Sequence, residues 1–275
     1  MLTGHYNYKI SVIIPTYKPQ SYLWECLESL AKQTFPKQNF EIILVLNGCT
    51  EPWKSQIEEF ISKKMVGMNV IFIHTEQSGV SNARNIALDI VSGEYVTFID
   101  DDDFVSENYL EALYKKAYID TISLCYPYAF NDGKPDKQLP YSITSAYDKW
   151  ADKMPVRLSS TVRKYFSGPC MKLIPMCFIH GRRFNPAFSN GEDSLFMFLI
   201  SDCFDRFAFT DKTAVYYRRY RTGSAVTSYR SKGMIIRNSF SMICEYTKIF
   251  FKGIPHYNFG FYITRIFASI RSIFK

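Results

Sequence analysis

None of the seven cysteines forms a Cys-x-x-Cys pair, which argues against a zinc knuckle, and their odd number argues against a disulfide framework. Reduced, mostly buried thiols in a cytoplasmic protein are expected instead. Only four histidines occur, at 5, 74, 180 and 256, and they are not spaced as a metal set. No Gly-x-Gly-x-x-Gly follows the first apolar run, so a dinucleotide oxidoreductase is disfavoured. No uninterrupted stretch of about 18 apolar residues is present, so no membrane-spanning helix is required. The opening MLTGHYNYKI lacks the charged-then-apolar order of a secretory signal. There is no internal repeat and no low-complexity segment. Lys and Arg are scattered until Arg218, Arg219, Arg221, Arg230 and Lys232, and no recognition motif accompanies the net charge of +7. A nucleic-acid partner is therefore not expected. Tryptophan is scarce at 3, against 20 Tyr and 23 Phe, and most of those rings are expected to fill a core.

What is present is an alternation of two periodicities. Lys9 to Pro15, Phe40 to Leu46, Asn69 to His74, Tyr95 to Ile99 and Thr121 to Tyr128 read as strands. Between them, 22–32, 52–65, 80–91 and 107–117 read as helices, with Ser21 a candidate N-cap for the first. Such alternation predicts a mostly parallel sheet with helices on both faces. The near-continuous apolar strands support burial on both sides. After 128 the pattern breaks. Residues 131–145 read as a polar loop, 150–213 as mixed order with a helix around 193–201, and 214–220 as a strand. Residues 235–251 and 261–274 read as helices. The expected division is an alternating α/β half over 1–128, an irregular half of the same domain over 129–230, and a C-terminal helical extension over 231–275.

Four consecutive acids, Asp100 to Asp103, stand at the C-terminal end of the fourth strand, where open α/β sheets bind ligands. A divalent cation bridging an anionic substrate would relieve their repulsion, since hard cations take carboxylate oxygens. An acidic turn capping the next helix is the plainer alternative. Four further segments accompany the acids in order: IIPTYK (Ile13 to Lys18), LNGCTE (Leu46 to Glu51), GVSNARN (Gly79 to Asn85) and, in the irregular half, NGEDSLF (Asn190 to Phe196). The first three follow strands one to three, so they converge with GEYVTFIDDDDF (Gly93 to Phe104) on one crevice. The last can close over it.

In this order and spacing the chain resembles family 2 glycosyltransferases of the A-type nucleotide-sugar fold. Members read P-T-Y/F-N, then E-I-I-V-V-D-D-G-S-T-D, then G-x-x-x-A-R-N, then G-x-Y-I-x-F-L-D-x-D-D, with a later E-D pair. The resemblance is close over 8–115, looser over 165–225, and uninformative over the last fifty residues. It implies a Rossmann-like fold and an inverting transfer of a sugar from a nucleotide-sugar donor, UDP-linked on family frequency, to a glycan hydroxyl in polysaccharide assembly. Thr16 and Tyr17 would border the nucleobase, and Pro15 would shape the turn that presents the backbone there. Asp100 and Asp102 match the family's D-x-D, so one carboxylate would lie near the ribose or sugar and Asp102 would ligate Mn2+ or Mg2+, with Asp101 at the variable position on the donor side and Asp103 the second acid after it. Asp193 would be the general base, with Glu192 the second candidate, although an acidic pair at a helix N-terminus is also favoured by the dipole alone. Arg84 would brace the acids or the base side of the pocket. Arg218, Arg219 and Arg221 in YYRRYRTGS would hold the diphosphate, unless they form a solvated basic face. The chain departs from the family after strand two, where its two acids are Leu46 and Asn47. Asn47 can still offer a base one donor and one acceptor.

A sugar nucleotidyltransferase is the alternative enzyme, but TYKPQ stands where its Gly-rich basic loop belongs. A non-catalytic glycan-binding protein is the other alternative, against which the intact acids speak. A lipid-linked acceptor would place the enzyme in the cytoplasm at the inner membrane face. In 259–275, Ile263, Ile266, Phe267, Ile270 and Phe274 share one helical face, with Arg265, Ser269, Arg271, Ser272 and Lys275 around it. That face either lies on anionic lipid or docks on the protein itself.

Overall fold

The computed structural model describes residues 6–153, 158, 162–204, 206–221 and 231–274. The first half runs β1 (Tyr8–Thr16), α1 (Ser21–Ala31), β2 (Phe40–Asn47), α2 (Trp53–Lys64), β3 (Asn69–Thr75), α3 (Val80–Ile90) and β4 (Gly93–Phe98). It continues through β5 (Phe104–Val105), α4 (Tyr109–Lys115), β6 (Thr121–Leu124), β7 (Tyr126–Asn131), β8 (Lys134–Gln138) and α5 (Ser142–Trp150). Then come β9 (Lys172–Pro175), α6 (Met176–Ile179), α7 (Glu192–Leu199), β10 (Arg206–Phe209), β11 (Val215–Tyr220), α8 (Lys232–Lys252) and α9 (Phe259–Ile273).

Seven strands form the main sheet in the order β10-β6-β9-β4-β1-β2-β3. β1 pairs in parallel with β2 and β4, β2 with β3, and β6 with β10. Every residue of β2 is buried, as is β1 from Ile10 onward, so both faces of the central strands are covered. The chain steps from β1 outward to β3 and returns to the other side of β1 as β4. The switch point of the sheet thus lies between β1 and β4, where Ile13 pairs with Phe98. Gly93 at the start of β4 is required sterically, because a Cβ there would lie 2.5 Å from the Ser11 nitrogen.

The sheet departs from the sequence expectation at three places. β9 enters antiparallel between β4 and β6, so the second half of the chain completes the sheet. The expected single strand 121–128 breaks at Cys125 into β6 and β7, which belong to different sheets. The Tyr126 amide turns away to donate to the Ala214 carbonyl. Residues 131–145, expected as loop, contain β8 and the start of α5. In α1, Gln20 takes the cap position without a side-chain bond, and Ser21 is already helical.

The second sheet, β5-β11-β7-β8, is what assembles the crevice. β5 follows the acidic run directly and pairs with β11, Val105 opposite Tyr216 and Phe104 opposite Tyr217. This pairing carries the arginines of β11 to the acids although more than a hundred residues separate them.

Candidate active site

Side chains tie the ends of β1, β2 and β4 together. Thr16 donates through Oγ1 to Asp101 Oδ2 at 2.5 Å, across the switch point. Asn47 at the end of β2 donates to the Thr16 carbonyl at 2.7 Å and accepts from the Gly79 amide at 2.9 Å. Its amide is buried and engaged at both ends, so it ties the loops after β1, β2 and β3 together. Gly48 follows at φ +69, with a Cβ there 2.4 Å from Ser78 Cβ. Pro15 is buried, while Tyr17 is 50% exposed at the crevice edge.

Each of the four acids has its own partner, although their charges still act on one another. Asp100 accepts from Arg84 Nη2 at 2.9 Å, and its amide donates to the Tyr216 hydroxyl. Asp101 holds Thr16. Asp102 accepts from Arg221 Nε at 2.7 Å, and Asp103, fully buried, accepts from the Arg219 amide at 2.7 Å. Burial first, then the charges of Asp102 and Asp100, push Asp101 up to about 7, against the Thr16 hydrogen bond. Asp102 is raised by burial and by Asp100, with Arg221 opposing. Asp103 is raised further by burial and by Asp102.

Arg84 joins the two halves of the chain. It sits on α3, 2% exposed, with its guanidinium between Asp100 and Asp193 Oδ1, the latter at 2.5 Å. It also lies 5.3 Å from the centre of the Phe184 ring, which stacks on Phe196 at 3.8 Å. The neighbouring Asn85 bonds both the amide and the carbonyl of Phe184, at 2.8 and 2.9 Å. The Ala-Arg-Asn triplet is therefore a staple that draws the segment before α7 onto the sheet. Burial would lower the Arg84 pKa, but Asp193 and Asp100 outweigh it and keep the group charged.

Asp193 lies in the first turn of α7, after Gly191 at φ +88. Burial raises its carboxyl above the ordinary range and Arg84 opposes the rise. Glu192 is more deeply buried, and it is Asp193 whose carboxylate meets Arg84. Behind it, Lys172 is fully buried and donates to the carbonyls of Gly168 and Cys170, both at 2.6 Å. A Cβ on Gly168 would lie 3.8 Å from Asp193 Oδ2, so this loop borders the carboxylate. The sequence reading missed Lys172. Its one signal is a lone cation inside the apolar run MKLIP.

Strand alternation separates the arginines of β11. Tyr216 and Arg218 point to the Asp100 side, with Arg218 donating to the Tyr141 hydroxyl and lying between the Tyr141 and Tyr220 rings. Arg219 points the other way. Its guanidinium, 7% exposed, is taken by Glu25, Asp132 and the Asp102 carbonyl, so it is not available to a diphosphate as expected. Arg221 holds Asp102 and lies 4.8 Å from the Tyr22 ring centre. Arg230 and the rest of 222–230 lie outside the described residues.

Comparison with known proteins agrees with this architecture. Residues 11–177, more than half of the chain, match the family described as Glycosyl transferase family 2. Glycosyltransferase GlyA of Streptococcus pneumoniae is 35% identical over 150 residues, 54% of this chain and 21% of that protein. The poly(ribitol-phosphate) beta-N-acetylglucosaminyltransferase TarS of Staphylococcus aureus is 38% identical over 103 residues, 38% of this chain and 18% of that protein. The chain thus spans about a fifth of the length of these relatives. The crystal structure of S. aureus TarS 1–349 in complex with UDP-GlcNAc superposes with a TM-score of 0.72 at 24% identity, over 97% of this chain and 72% of that one. The mannosyltransferase PcManGT from Pyrobaculum calidifontis, in complex with GDP-Man and Mn2+, gives 0.61 at 15% identity, over 98% and 73%. These likenesses show a shared α/β fold with a mostly parallel central sheet, and the chain belongs to glycosyl transferase family 2.

Proposed function

We propose that the chain is an inverting hexosyltransferase that moves a sugar from a nucleotide-sugar donor to a hydroxyl of a glycan acceptor in polysaccharide assembly. The observation that carries the reading is the Arg84 bridge, which sets Asp193 on one side of a buried guanidinium and Asp100 of the acidic run on the other. A base on the acceptor side and acids on the donor side are what an in-line displacement at an anomeric carbon requires. Thr16 and the exposed ring of Tyr17 border the nucleobase. Asp100 and Asp101 face the ribose or sugar. Arg218, still charged between two tyrosines, is the arginine on the diphosphate side. Asp193 takes the proton of the attacking hydroxyl, since burial raises its basicity while Arg84 keeps it ionised.

A UDP-sugar is the favoured donor, in keeping with the UDP and UDP-GlcNAc bound to S. aureus TarS. A divalent cation fits the residues present. Among the described residues no group of three or more His, Cys, Asp or Glu could hold one by itself. Mn2+ or Mg2+ needs only one or two carboxylates when substrate phosphates complete its shell. Asp102 has that position and chemistry, with Arg221 engaging one of its oxygens. When bound, the cation would neutralise charge on the leaving diphosphate. The proposed setting is cytoplasmic, with a glycan or lipid-linked glycan as acceptor and peripheral contact with the inner membrane face. No helix among the described residues is long and apolar enough to cross a membrane.

A panel of UDP-, GDP- and dTDP-sugars, screened by thermal shift with and without Mn2+ and followed by donor hydrolysis, tests the reading. One donor should raise Tm in a Mn2+-dependent way and be hydrolysed. Full activity of Asp102→Asn, or of the wild type in chelator, would remove the metal from the account. Loss of all donor binding across the panel would remove the transferase.

A further inference from the structure

α8 and α9 form an antiparallel hairpin whose rotation is fixed by polar contacts. Ser239 bonds Ser272 at 2.7 Å, Thr247 bonds the Tyr262 hydroxyl at 2.9 Å, and Phe250 stacks on Tyr262 at 4.4 Å. The face toward the body carries Ser239, Met242, Tyr246 and Phe250 of α8, and Phe261 and Arg265 of α9. Arg265, expected on the polar side of the last helix, is buried and donates to the Phe166 carbonyl. The aromatic edge of the expected apolar face is thereby left outside. Ile236, Phe240 and Phe251 recur along the outer side of α8, and Phe259, Phe267 and Phe274 along that of α9. Four of the five phenylalanines are about two-thirds exposed and Phe274 is 83% exposed, in a protein that buries most of its other rings. Contiguous exposed apolar surface of this kind marks an interaction site.

The charges beside it select the partner. Arg237, Lys248, Lys252 and Arg271 are exposed on the same two helices, and Glu245, facing Lys248 at 3.7 Å, is the one acid from 232 to 274. A second copy packed face to face would set cations against the same cations. An apolar stripe flanked by Lys and Arg on helices too polar to span suits an anionic bilayer surface, with rings in the acyl boundary and cations at the headgroups. We propose that the outer face of the α8–α9 hairpin is a membrane-docking platform for anionic lipid, made by two helices and not by 259–275 alone.

The inner face of the same hairpin grips the turn that carries Asp193. Asn238 donates to the Asn190 carbonyl, a Cβ on Gly191 would meet Met242 at 3.0 Å, and Tyr246 bonds Ser194 at 2.6 Å. α8 therefore stands between the lipid surface and the base, a separation of about one helix diameter, roughly 10 Å. This placement would serve an acceptor whose anchor lies in the bilayer, a point that rests on the function proposed above. The platform itself does not.

Flotation of the full chain with vesicles of phosphatidylcholine, alone or mixed with phosphatidylglycerol, tests the platform. The chain should float with the mixed vesicles at low salt and detach at high salt. The triple variant Phe240→Gln, Phe267→Gln, Phe274→Gln should stay unbound while keeping its helical circular dichroism. The quadruple variant Arg237→Gln, Lys248→Gln, Lys252→Gln, Arg271→Gln should bind at least about tenfold more weakly. If the triple variant loses helical signal, the quadruple variant decides. The proposal is overturned if the chain ignores mixed vesicles, if the quadruple variant binds as the wild type does, or if light scattering shows an oligomer that the phenylalanine substitutions dissociate.

Discussion

At the scale of single residues, one guanidinium organises the chemistry. Arg84 meets Asp193 and Asp100 at once, so the Asp193 carboxyl is held down by the guanidinium and pushed up by the Asp100 charge. Asp193→Asn should lower transfer by roughly 10²–10⁴, the range for a positioned general base. Donor affinity in a thermal-shift titration should be unchanged. Glu192→Gln, which leaves the Arg84 contact in place, should keep most of the transfer rate. If that variant is dead and Asp193→Asn is active, the base is Glu192. A second residue-scale prediction concerns Asp101, whose carboxyl is pushed up from 3.8 to about 7. Between those values the folded protein holds a proton that the unfolded chain has released. That contribution to stability is complete below pH 3.8 and is lost as pH rises through about 7. Asp101→Asn keeps a partner for Thr16 without the charge. In chelator, it should therefore gain stability relative to the wild type on going from acid to neutral pH, by an amount on the order of 2–4 kcal/mol. Parallel stability profiles for the two proteins would show that Asp101 is not the group held protonated.

At the scale of elements, the staple between α3 and the segment before α7 is the joint that matters. Asn85 satisfies both backbone groups of Phe184, and the Phe184 ring lies under Arg84. Asn85→Ala leaves two backbone groups without that partner and should cost about 1–3 kcal/mol by chemical denaturation. It should also slow transfer more than it weakens donor binding, because it loosens the side that carries Asp193. Equal losses in both would mean that the joint serves stability alone. The elements of the first half were legible because β1 to β4 are long apolar runs separated by strongly periodic helices. β6 and β7 were not separable in sequence, since TISLCYPY is continuous in hydropathy and only the pairing of Tyr126 with Ala214 divides it. β9 is four residues long and buried only in company, so nothing local announces it. The site divides in the same way. The acids, Thr16, Arg84 and Asp193 stood out as motifs and lie at the expected strand and helix ends. The fate of Arg219 depends on the side of β11 its side chain leaves and on Glu25 and Asp132 arriving from elsewhere, and that of Arg221, just past the strand, on Asp102. No spacing in the sequence states that.

At the scale of the whole molecule, the C-terminal hairpin belongs to the body on one side and faces outward on the other. Phe261 lies in a ring cluster with Phe166 and Phe198, and Phe198 in turn packs on Tyr246. Arg265 reaches through the same wall to the Phe166 carbonyl, two residues before the Gly168 turn beside Asp193. Burial of one such ring contributes about 1.5–3 kcal/mol. Removing residues 256–275 would take away Phe261 and uncover Phe166, Phe198 and Tyr262's partner Phe250 together. Against a total stability on the order of 5–15 kcal/mol, that is a large share. The truncated chain should therefore melt well below the full chain and lose transfer more completely than the triple outer-face variant. The two manipulations act on opposite sides of one hairpin, so their effects should separate. The outer-face variant should keep Tm and lose vesicle binding, whereas the truncation should lose both. A truncated chain with unchanged Tm and normal transfer would mean that α9 is not part of the wall behind Asp193, the proposed base. The route from Arg265 through Phe166 to the Gly168 turn would then carry no mechanical load.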